Sequence, residues 1–367
     1  YNAMRNQMFT NTSAGTHKQS ENWLEKRLFF HDIVVHCRTN HAQMLALLEE
    51  MLGAFPEPEQ TRGEVHYNVY CYEHAAQFPH QLPAARHRTD AIQLLTNTVL
   101  KYYRSDDSML EFHSYAALEA VNGVALTVMQ RDAPIVTTQL EMPERYQASF
   151  LRRYVFLLAL GHVMARFGFE PFHAAAITAP WDNQQGALLV GASGSGKTTL
   201  SIGCAIAGCG FLGDDLLMLR EQTPGGEIIA GAVTHEVAVR SRSLQLWDAL
   251  AFLAPYTADQ RDKRYCSIDT IRAGAARWQT PVRLLLFPTL TNDTESRVMP
   301  VSKAQALQAL IEQAISNGYQ HHRAPEALFA LLGQLTQQST GYRIAIARGA
   351  NDGPAIVKSL FTGGQYG

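Results

Sequence analysis

The chain has 367 residues, of which 46% are hydrophobic, and a formal net charge of −2 at pH 7. This length exceeds what one hydrophobic core usually holds, so two domains are expected. The near-neutral charge argues against nucleic acid and membrane surfaces as partners, because both favour a strong basic excess. The longest apolar run, 155–160, is also too short to cross a bilayer.

The cysteines are odd in number and show no paired spacing; they are Cys37, Cys71, Cys204, Cys209 and Cys266. This pattern is typical of thiols kept reduced in the cytosol, so we expect a cytoplasmic protein. Residues 1–22 are polar and are interpreted as a tag remnant followed by a flexible leader.

A smaller α+β domain is predicted over 23–145, with the hypothetical role of recognising an acceptor. Hydrophobic spacing predicts strands over 28–37 and 65–71, helices over 41–52 and 90–103, and a small sheet from 109–115, 124–129 and 135–140. Pro143 opens a predicted long helix that continues to about Arg166 and bridges the two domains.

The second predicted domain, 146–355, begins with a hairpin of strands 173–178 and 187–190. Further strands are expected at 210–219, 227–232 and 282–287, and a helix at 302–315. Residues 356–367 are predicted to be a flexible tail. The fold class is therefore α/β, with a mixed sheet and flanking helices in the second domain.

The hairpin leads into a complete phosphate-binding motif, G-x-x-x-x-G-K-[ST]. It consists of Gly191, Ala192, Ser193, Gly194, Ser195, Gly196, Lys197 and Thr198. A strand precedes the motif and a helix follows it, so glycine-rich backbone N–H groups and a helix N-terminus can surround phosphate oxygens. The Lys197 ammonium can reach the terminal phosphates, and the Thr198 hydroxyl can bind magnesium. The motif predicts a nucleotide site.

Two adjacent carboxylates, Asp214 and Asp215, follow at the end of a short apolar run. Two carboxylates that share a site repel each other, which raises the pKa of one of them. One can then bind a metal and the other can accept a proton. Because successive residues of a strand face opposite ways, both can serve only if the strand is kinked, which Gly213 permits.

The run Gly-Ala-Ser-Gly-Ser-Gly-Lys-Thr-Thr-Leu-Ser, followed by Gly-Phe-Leu-Gly-Asp-Asp, resembles the nucleotide core shared by the HPr kinase/phosphorylase family and phosphoenolpyruvate carboxykinase. The resemblance covers roughly residues 170–310. Within it, Phe172-His173-Ala174-Ala175 matches the place where HPr kinases have a histidine on the strand before the loop. The resemblance implies a C-terminal phosphate-loop kinase core of this type.

The resemblance also implies ATP and magnesium as cofactors. Lys197 and the 191–199 backbone, including Thr199, would hold the phosphates. Thr198 with Asp214 or Asp215 would hold magnesium. One aspartate would take the proton of an attacking hydroxyl, and His173 would lie near the transferred phosphoryl group. Phosphoryl transfer also needs cations from a second loop. The candidates are Arg240, Arg242, Lys263 and Arg264, of which Arg242 and Arg264 are preferred.

The chain departs from these relatives at two places. Residues 236–242 lack the Arg-Gly-x-Gly-Ile signature of bacterial HPr kinases, so HPr itself is a doubtful substrate. Leu216 and Leu217 follow the aspartates where the carboxykinase continues with Glu-His. The sequence therefore predicts a kinase acting on a hydroxyl of a protein, peptide or small molecule. The resemblance to HPr kinases implies a homo-oligomer. Two alternatives stay open: a nucleotide-binding regulator or ATPase without an acceptor, and a carboxykinase- or phosphorylase-type activity.

Overall fold

The computed structural model describes residues 23–79, 88–95, 98–104, 108–116, 122–130, 133–146, 148, 151–258, 262–316 and 325–363. It is a mixed α/β structure with an eight-stranded sheet, a nine-stranded sheet and a two-stranded ribbon. The predicted leader, 1–22, and the last residues of the predicted tail, 364–367, lie outside the described residues.

The first sheet is built from the N-terminal part of the chain. Its strands are β1 (Leu24–Phe30), β2 (Ile33–Thr39), β3 (Gly63–Tyr72), β4 (Arg88–Leu95), β5 (Thr98–Arg104), β6 (Ser108–Ala116), β7 (Asn122–Gln130) and β8 (Ile135–Glu141). They are ordered β1-β2-β3-β8-β7-β6-β5-β4. The pairs β2–β3 and β3–β8 are parallel and the others are antiparallel.

Helices cover one face of this sheet. Helix α1 (Ala42–Leu52) buries Met44, Leu47, Leu48 and Leu52, an apolar stripe at helical spacing. A π-helical turn, Leu151–Phe156, continues into α2 (Leu157–Met164) and joins the same core cluster. That cluster also includes Met218 and Val233 of the second half of the chain. The first core is thus continuous with the second sheet.

The second sheet contains nine strands in the C-terminal part of the chain. They are β9 (Glu170–Phe172), β10 (Ala175–Thr178), β11 (Gly186–Leu189), β12 (Gly210–Gly213), β13 (Leu217–Glu221), β14 (Ile228–Ala232), β17 (Gln279–Thr291), β18 (Arg297–Val301) and β19 (Thr340–Ala347). The ribbon is β15 (Glu236–Arg240) with β16 (Lys263–Ser267). The α-helices are α3 (Lys197–Ile206), α4 (Ser241–Leu244), α5 (Ile268–Ile271), α6 (Lys303–Ser316), α7 (Pro325–Gln338) and α8 (Gly353–Phe361).

The topology brings two chain segments to one edge of the second sheet. Strand β10 is antiparallel to both β11 and β12, so β11 and β12 run in the same direction. Their carboxyl ends therefore lie at the same sheet edge. The 190–196 loop leaves β11 there, and Asp214 follows β12 there. Strand β17 supports β11 from the other side in parallel pairing.

The predicted helix over 90–103 is wrong. This segment contains parts of β4 and β5, which pair antiparallel with each other, and β5 also pairs with β6. The apolar spacing is compatible with either structure over so short a run. Val99, Tyr102 and Tyr103 favour strands, and the neighbouring strands supply hydrogen bonds to the backbone. The three strands predicted as a small sheet belong to the same eight-stranded sheet.

Several predicted elements are interrupted. The strand predicted over 28–37 is a hairpin, because His31 adopts a left-handed conformation with φ 55° between β1 and β2. The long helix predicted after Pro143 is replaced by a 3₁₀ turn, Pro143–Arg145, and by the later π and α segments. The predicted tail overlaps α8, whose Val357 and Leu360 are buried.

Candidate functional site

The 190–196 loop joins the end of β11 to the start of α3. Gly194 and Gly196 have φ of 84° and 100°, a region that side chains with a Cβ rarely adopt, so glycine is needed at both turns. Leu200 is the first helical residue whose N–H bonds to a loop carbonyl, that of Gly196 at 2.9 Å. The N–H groups before it point out of the helix N-terminus, where anions bind well.

Lys197 lies across this loop. Its side chain is buried, and Nζ donates to the carbonyl oxygens of Gly191 at 2.6 Å and Ala192 at 3.2 Å. Burial lowers the pKa of Lys197, and the Lys263 ammonium lowers it further, while Asp214 and Asp215 raise it. Among the described residues, the hydrogen-bond acceptors of the ammonium are these two neutral carbonyl groups. They hold it beside the two carboxylates.

The aspartate pair occupies a tight turn between β12 and β13. The strand predicted over 210–219 is broken there: Asp215 has φ 69°, and the N–H of Leu216 donates to the carbonyl of Asp214 at 2.9 Å. The left-handed residue is therefore Asp215, rather than the predicted Gly213. Aspartate tolerates this conformation better than most residues because its short side chain can bond locally. The break lets both carboxylates lie at the site.

Asp214 is buried, and neither of its carboxylate oxygens has a hydrogen-bond partner among the described residues. Burial raises the pKa of Asp214 to about 7, and the neighbouring Asp215 contributes to the rise. The Thr198 hydroxyl, Lys263 and Lys197 act in the opposite direction. The Thr198 hydroxyl therefore lies close to the Asp214 carboxylate. A buried carboxyl without a partner costs free energy, which a bound cation would recover.

His173 lies between β9 and β10, so the predicted strand over 173–178 begins two residues late, at Ala175. Burial lowers the pKa of His173, and the Lys197 ammonium adds to this effect. The Asp215 carboxylate and a hydrogen bond with the Asp215 backbone raise it. His173 is therefore in direct contact with the aspartate turn, and the structure brings it together with Lys197.

The cation nearest the aspartates is Lys263, at the start of β16. Its Nζ lies 3.1 Å from Oδ2 of Asp215, and only 16% of its side chain is exposed. Lys263 is one of the four candidate cations that the sequence offers, although Arg242 and Arg264 are the two preferred there. The pairing of β15 with β16 places Lys263 opposite Arg240, and that long-range register has no local sequence signal.

The preferred arginines, Arg242 and Arg264, are not the cations that pair with the aspartates. Arg264 donates to the Tyr256 carbonyl at 2.7 Å and to Ser241 Oγ at 2.9 Å. Both acceptors lie in the chain that connects β15 to β16, so Arg264 stabilises that connection. Arg242 lines a cavity beside the loop, together with Gly196 and Thr199. Arg240 is exposed at the end of β15. In the described structure neither Arg242 nor Arg264 forms an ion pair with the two aspartates.

Magnesium fits the oxygen donors present here. Among the described residues, no group of three His, Cys, Asp or Glu gathers in a way that could hold a metal ion. Magnesium that bridges nucleotide phosphates usually needs only one or two protein carboxylates, since phosphates and water complete its shell. The unpaired, buried Asp214 beside Thr198 satisfies this requirement.

No protein-family model matches the sequence, and no curated protein matches it. Among solved structures, the HPr(Ser) kinase/phosphatase from Coxiella burnetii is similar to this chain with a TM-score of 0.29 and 13% sequence identity, over 53% of this chain and 94% of that chain. These values indicate only a distant likeness. Within the described residues, no helix has the length and hydropathy needed to span a membrane.

Proposed function

We propose that this protein is an ATP- and magnesium-dependent kinase that transfers the γ-phosphoryl group to a hydroxyl of a protein, peptide or small molecule. The observation that carries the proposal is the meeting of the 191–198 loop with Asp214, a buried carboxylate whose two oxygens lack partners in the described structure. A purely structural turn has no use for such a group, since it is costly to bury.

The loop and Lys197 would hold the phosphate chain. Lys197 donates to two loop carbonyls, and its long side chain can exchange these weaker acceptors for phosphate oxygens, to which charge-assisted hydrogen bonds are stronger. Gly194, Gly196 and the first turn of α3 present backbone N–H groups to the same region. Thr199, in the first turn of α3, lines the cavity that Arg242 also lines.

The two aspartates would take different roles. Asp214, buried beside Thr198, would hold magnesium, which when bound neutralises charge on the phosphates. Asp215 has 38% of its side chain exposed, so it can reach an incoming hydroxyl and accept its proton. His173 and Lys263 contact Asp215 and would orient it, and Lys263 adds positive charge beside the transferred group.

Phosphoryl transfer needs little more than positioning and charge neutralisation, and these residues would provide both. The region 23–145 would select the acceptor. Two features of the sequence, the absent Arg-Gly-x-Gly-Ile signature and Leu216-Leu217 after the aspartates, argue against HPr and against carboxykinase chemistry as the natural reaction.

To test this proposal, the protein is incubated with γ-labelled ATP and candidate acceptors from cell extract, and the transfer of label to the acceptors is measured. Asp215→Asn is expected to reduce transfer by at least about a hundredfold while nucleotide binding stays measurable, because general-base catalysis contributes that order of magnitude. Asp214→Asn is expected to reduce transfer and also to weaken the dependence on magnesium concentration.

Asp293→Asn serves as the matched control, because Asp293 is exposed in the turn after β17. Its transfer rate should equal that of the wild type. Label that appears only as free phosphate would favour the rival, a nucleotide-dependent regulator or ATPase. If Asp214→Asn and Asp215→Asn both transfer label at the wild-type rate, the roles proposed for the two aspartates are wrong.

A further inference from the structure

Two histidines lie side by side on the first sheet, on the face opposite to helices α1 and α2. His36 of β2 and His66 of β3 are register partners in the parallel pairing of these strands. Cys37, the next residue after His36, is buried in the core cluster that also contains the apolar stripe of α1. Because successive side chains of a strand point to opposite faces, His36 is directed away from that core. The sheet thus brings two imidazoles from separate strands to one point of the surface.

The two rings are close and nearly parallel. Their centroids are 5.0 Å apart and their planes differ by 18°. His66 is exposed, and 37% of the His36 side chain is exposed. Metal–nitrogen bonds are about 2.0–2.1 Å long, so two of them span up to about 4 Å. The χ2 torsion of histidine is soft, and a modest rotation of one ring lets both rings reach the same ion.

A carboxylate orients one of these rings. Glu64 lies two residues before His66 on β3 and therefore on the same face of the sheet. Nε2 of His36 donates to Oε2 of Glu64 at 3.1 Å. Histidines that bind metals usually donate their other ring N–H to such a carboxylate or to a carbonyl. This bond leaves Nδ1 of His36 as the nitrogen that can bind an ion.

The neighbouring cations on this face are paired with carboxylates. Arg27, the register partner of His36 on β1, lies 2.8 Å from Glu57. Arg38, the next residue of β2 on the same face, lies 3.4 Å from Glu25. Each guanidinium charge is thus balanced by a carboxylate, which lessens its repulsion of a cation held between the histidines.

We infer that His36 and His66 form a surface site for one late divalent transition-metal ion, such as nickel, copper or zinc. Imidazole nitrogens suit these ions, whereas magnesium prefers oxygen ligands. Water completes the coordination shell, since the protein supplies two donors here. The site is separate from the proposed magnesium position at Asp214, and the inference does not rest on the proposed function. A bound ion joins β2 to β3 and stabilises the first sheet.

Calorimetric titration of the metal-free full chain with nickel chloride tests the site. His36→Gln and His66→Gln are each expected to weaken nickel binding by at least about tenfold, because each removes one of two ligands. Glu64→Gln is expected to weaken it by about tenfold, the lower end of the effect of residues that orient metal ligands. His74→Gln is the matched control, since His74 is an exposed histidine in the segment after β3. It should bind nickel like the wild type.

Two further measurements distinguish ligands from residues with a merely structural role. With one equivalent of copper, electron paramagnetic resonance should show coupling to two imidazole nitrogens in the wild type and to one in each histidine variant. Without metal, both histidine variants should unfold in urea like the wild type, because surface substitutions usually change stability by less than about 0.5 kcal/mol.

The inference is overturned if nickel binds both histidine variants within about twofold of the wild type, or if the copper nitrogen couplings are unchanged in them. Excess magnesium chloride should leave nickel binding unaltered. Displacement of nickel by magnesium would place the ion on oxygen ligands such as Asp214 and would also overturn the site. None of these measurements depends on phosphoryl transfer, so failure of the proposed function leaves their outcome unaffected.

Discussion

Asp214 and Asp215 are neighbours in the chain but occupy different surroundings. Asp214 is buried and faces Thr198 and Lys197, whereas Asp215 is partly exposed and pairs with Lys263. The left-handed backbone at Asp215 ends the strand between the two side chains. Two carboxylates with different environments can divide metal binding and proton transfer between them.

A second buried residue, His31, gives a pH prediction. Burial lowers the pKa of His31 to about 4, with Arg220 and His235 acting in the same direction, while its bond to the Ala232 carbonyl and Asp32 oppose this. The ring is held neutral in the folded chain, so the unfolded chain, with a pKa near 6.5, binds more protons between these two values. Stability from this group is present above about pH 6.5 and is lost as pH falls toward 4.

The expected loss is up to about 3 kcal/mol in the free energy of unfolding between pH 6.5 and 4, from about 1.4 kcal/mol per pKa unit. Urea unfolding of wild type and His31→Gln across this range measures it. The variant should lose less stability than wild type on acidification, and exposed His66→Gln should follow wild type. Parallel curves for wild type and His31→Gln would contradict a neutral, buried His31.

At the scale of elements, the β15–β16 ribbon connects the two parts of the site. Lys263 at the start of β16 reaches Asp215, and Ser243 after β15 bonds to Thr199 of α3. Trp247, in the same connection, packs against α3 at Gly203. The ribbon and the chain that connects its strands therefore contact the aspartate turn and helix α3, and they can hold the two in fixed relative positions.

Lys263→Met tests this role. The variant keeps the length of the side chain but removes the charge, so transfer of label to the acceptor is expected to fall by at least about tenfold, equivalent to about 1.4 kcal/mol of transition-state stabilisation. ATP binding should change less than transfer. Lys26→Met, at an exposed lysine of β1 paired with Glu49, is the control. Wild-type turnover in Lys263→Met would exclude Lys263 from the site.

Local patterns predicted the strand, loop and helix around 191–198, because the motif itself requires glycine turns, a lysine and a helix N-terminus. They also predicted a break in the strand near Asp214, but at Gly213 and not at Asp215, where the structure has it. The choice of Lys263 over Arg264 was not predictable, since it depends on which ribbon residue faces the turn after β12. The helix predicted over 90–103 failed for the same reason: pairing with distant strands decided the structure.

At the scale of the whole molecule, the turn between β1 and β2 attaches the first sheet to the second. His31 donates to the Ala232 carbonyl at 2.8 Å, and Gly231 permits this approach, since a Cβ there would lie 2.8 Å from the ring nitrogen. Asp32 pairs with Arg220 of β13 at 2.8 Å. Strand β13 directly follows the aspartate turn, so this contact also supports the site.

Arg220→Met is expected to lower the free energy of unfolding by about 2 kcal/mol. Removal of one partner from a buried pair costs about 3–5 kcal/mol, and Arg62 at 3.3 Å from Asp32 offsets part of it. The exposed pair of Arg283 and Glu227 supplies the control, since Arg283→Met should cost less than about 1 kcal/mol. Urea unfolding measures both. If Arg220→Met and Arg283→Met lower the free energy of unfolding equally, the Asp32–Arg220 pair does not join the two sheets.

The most direct test of the proposed function is a crystal structure of the protein with magnesium and a non-hydrolysable ATP analogue. In this structure we expect phosphates surrounded by the 191–198 backbone, Lys197 Nζ moved from the Gly191 carbonyl to phosphate oxygens, and a metal ion bound by Asp214 and Thr198. A structure with the analogue bound elsewhere, or with Asp214 still unpaired beside an empty loop, would contradict it.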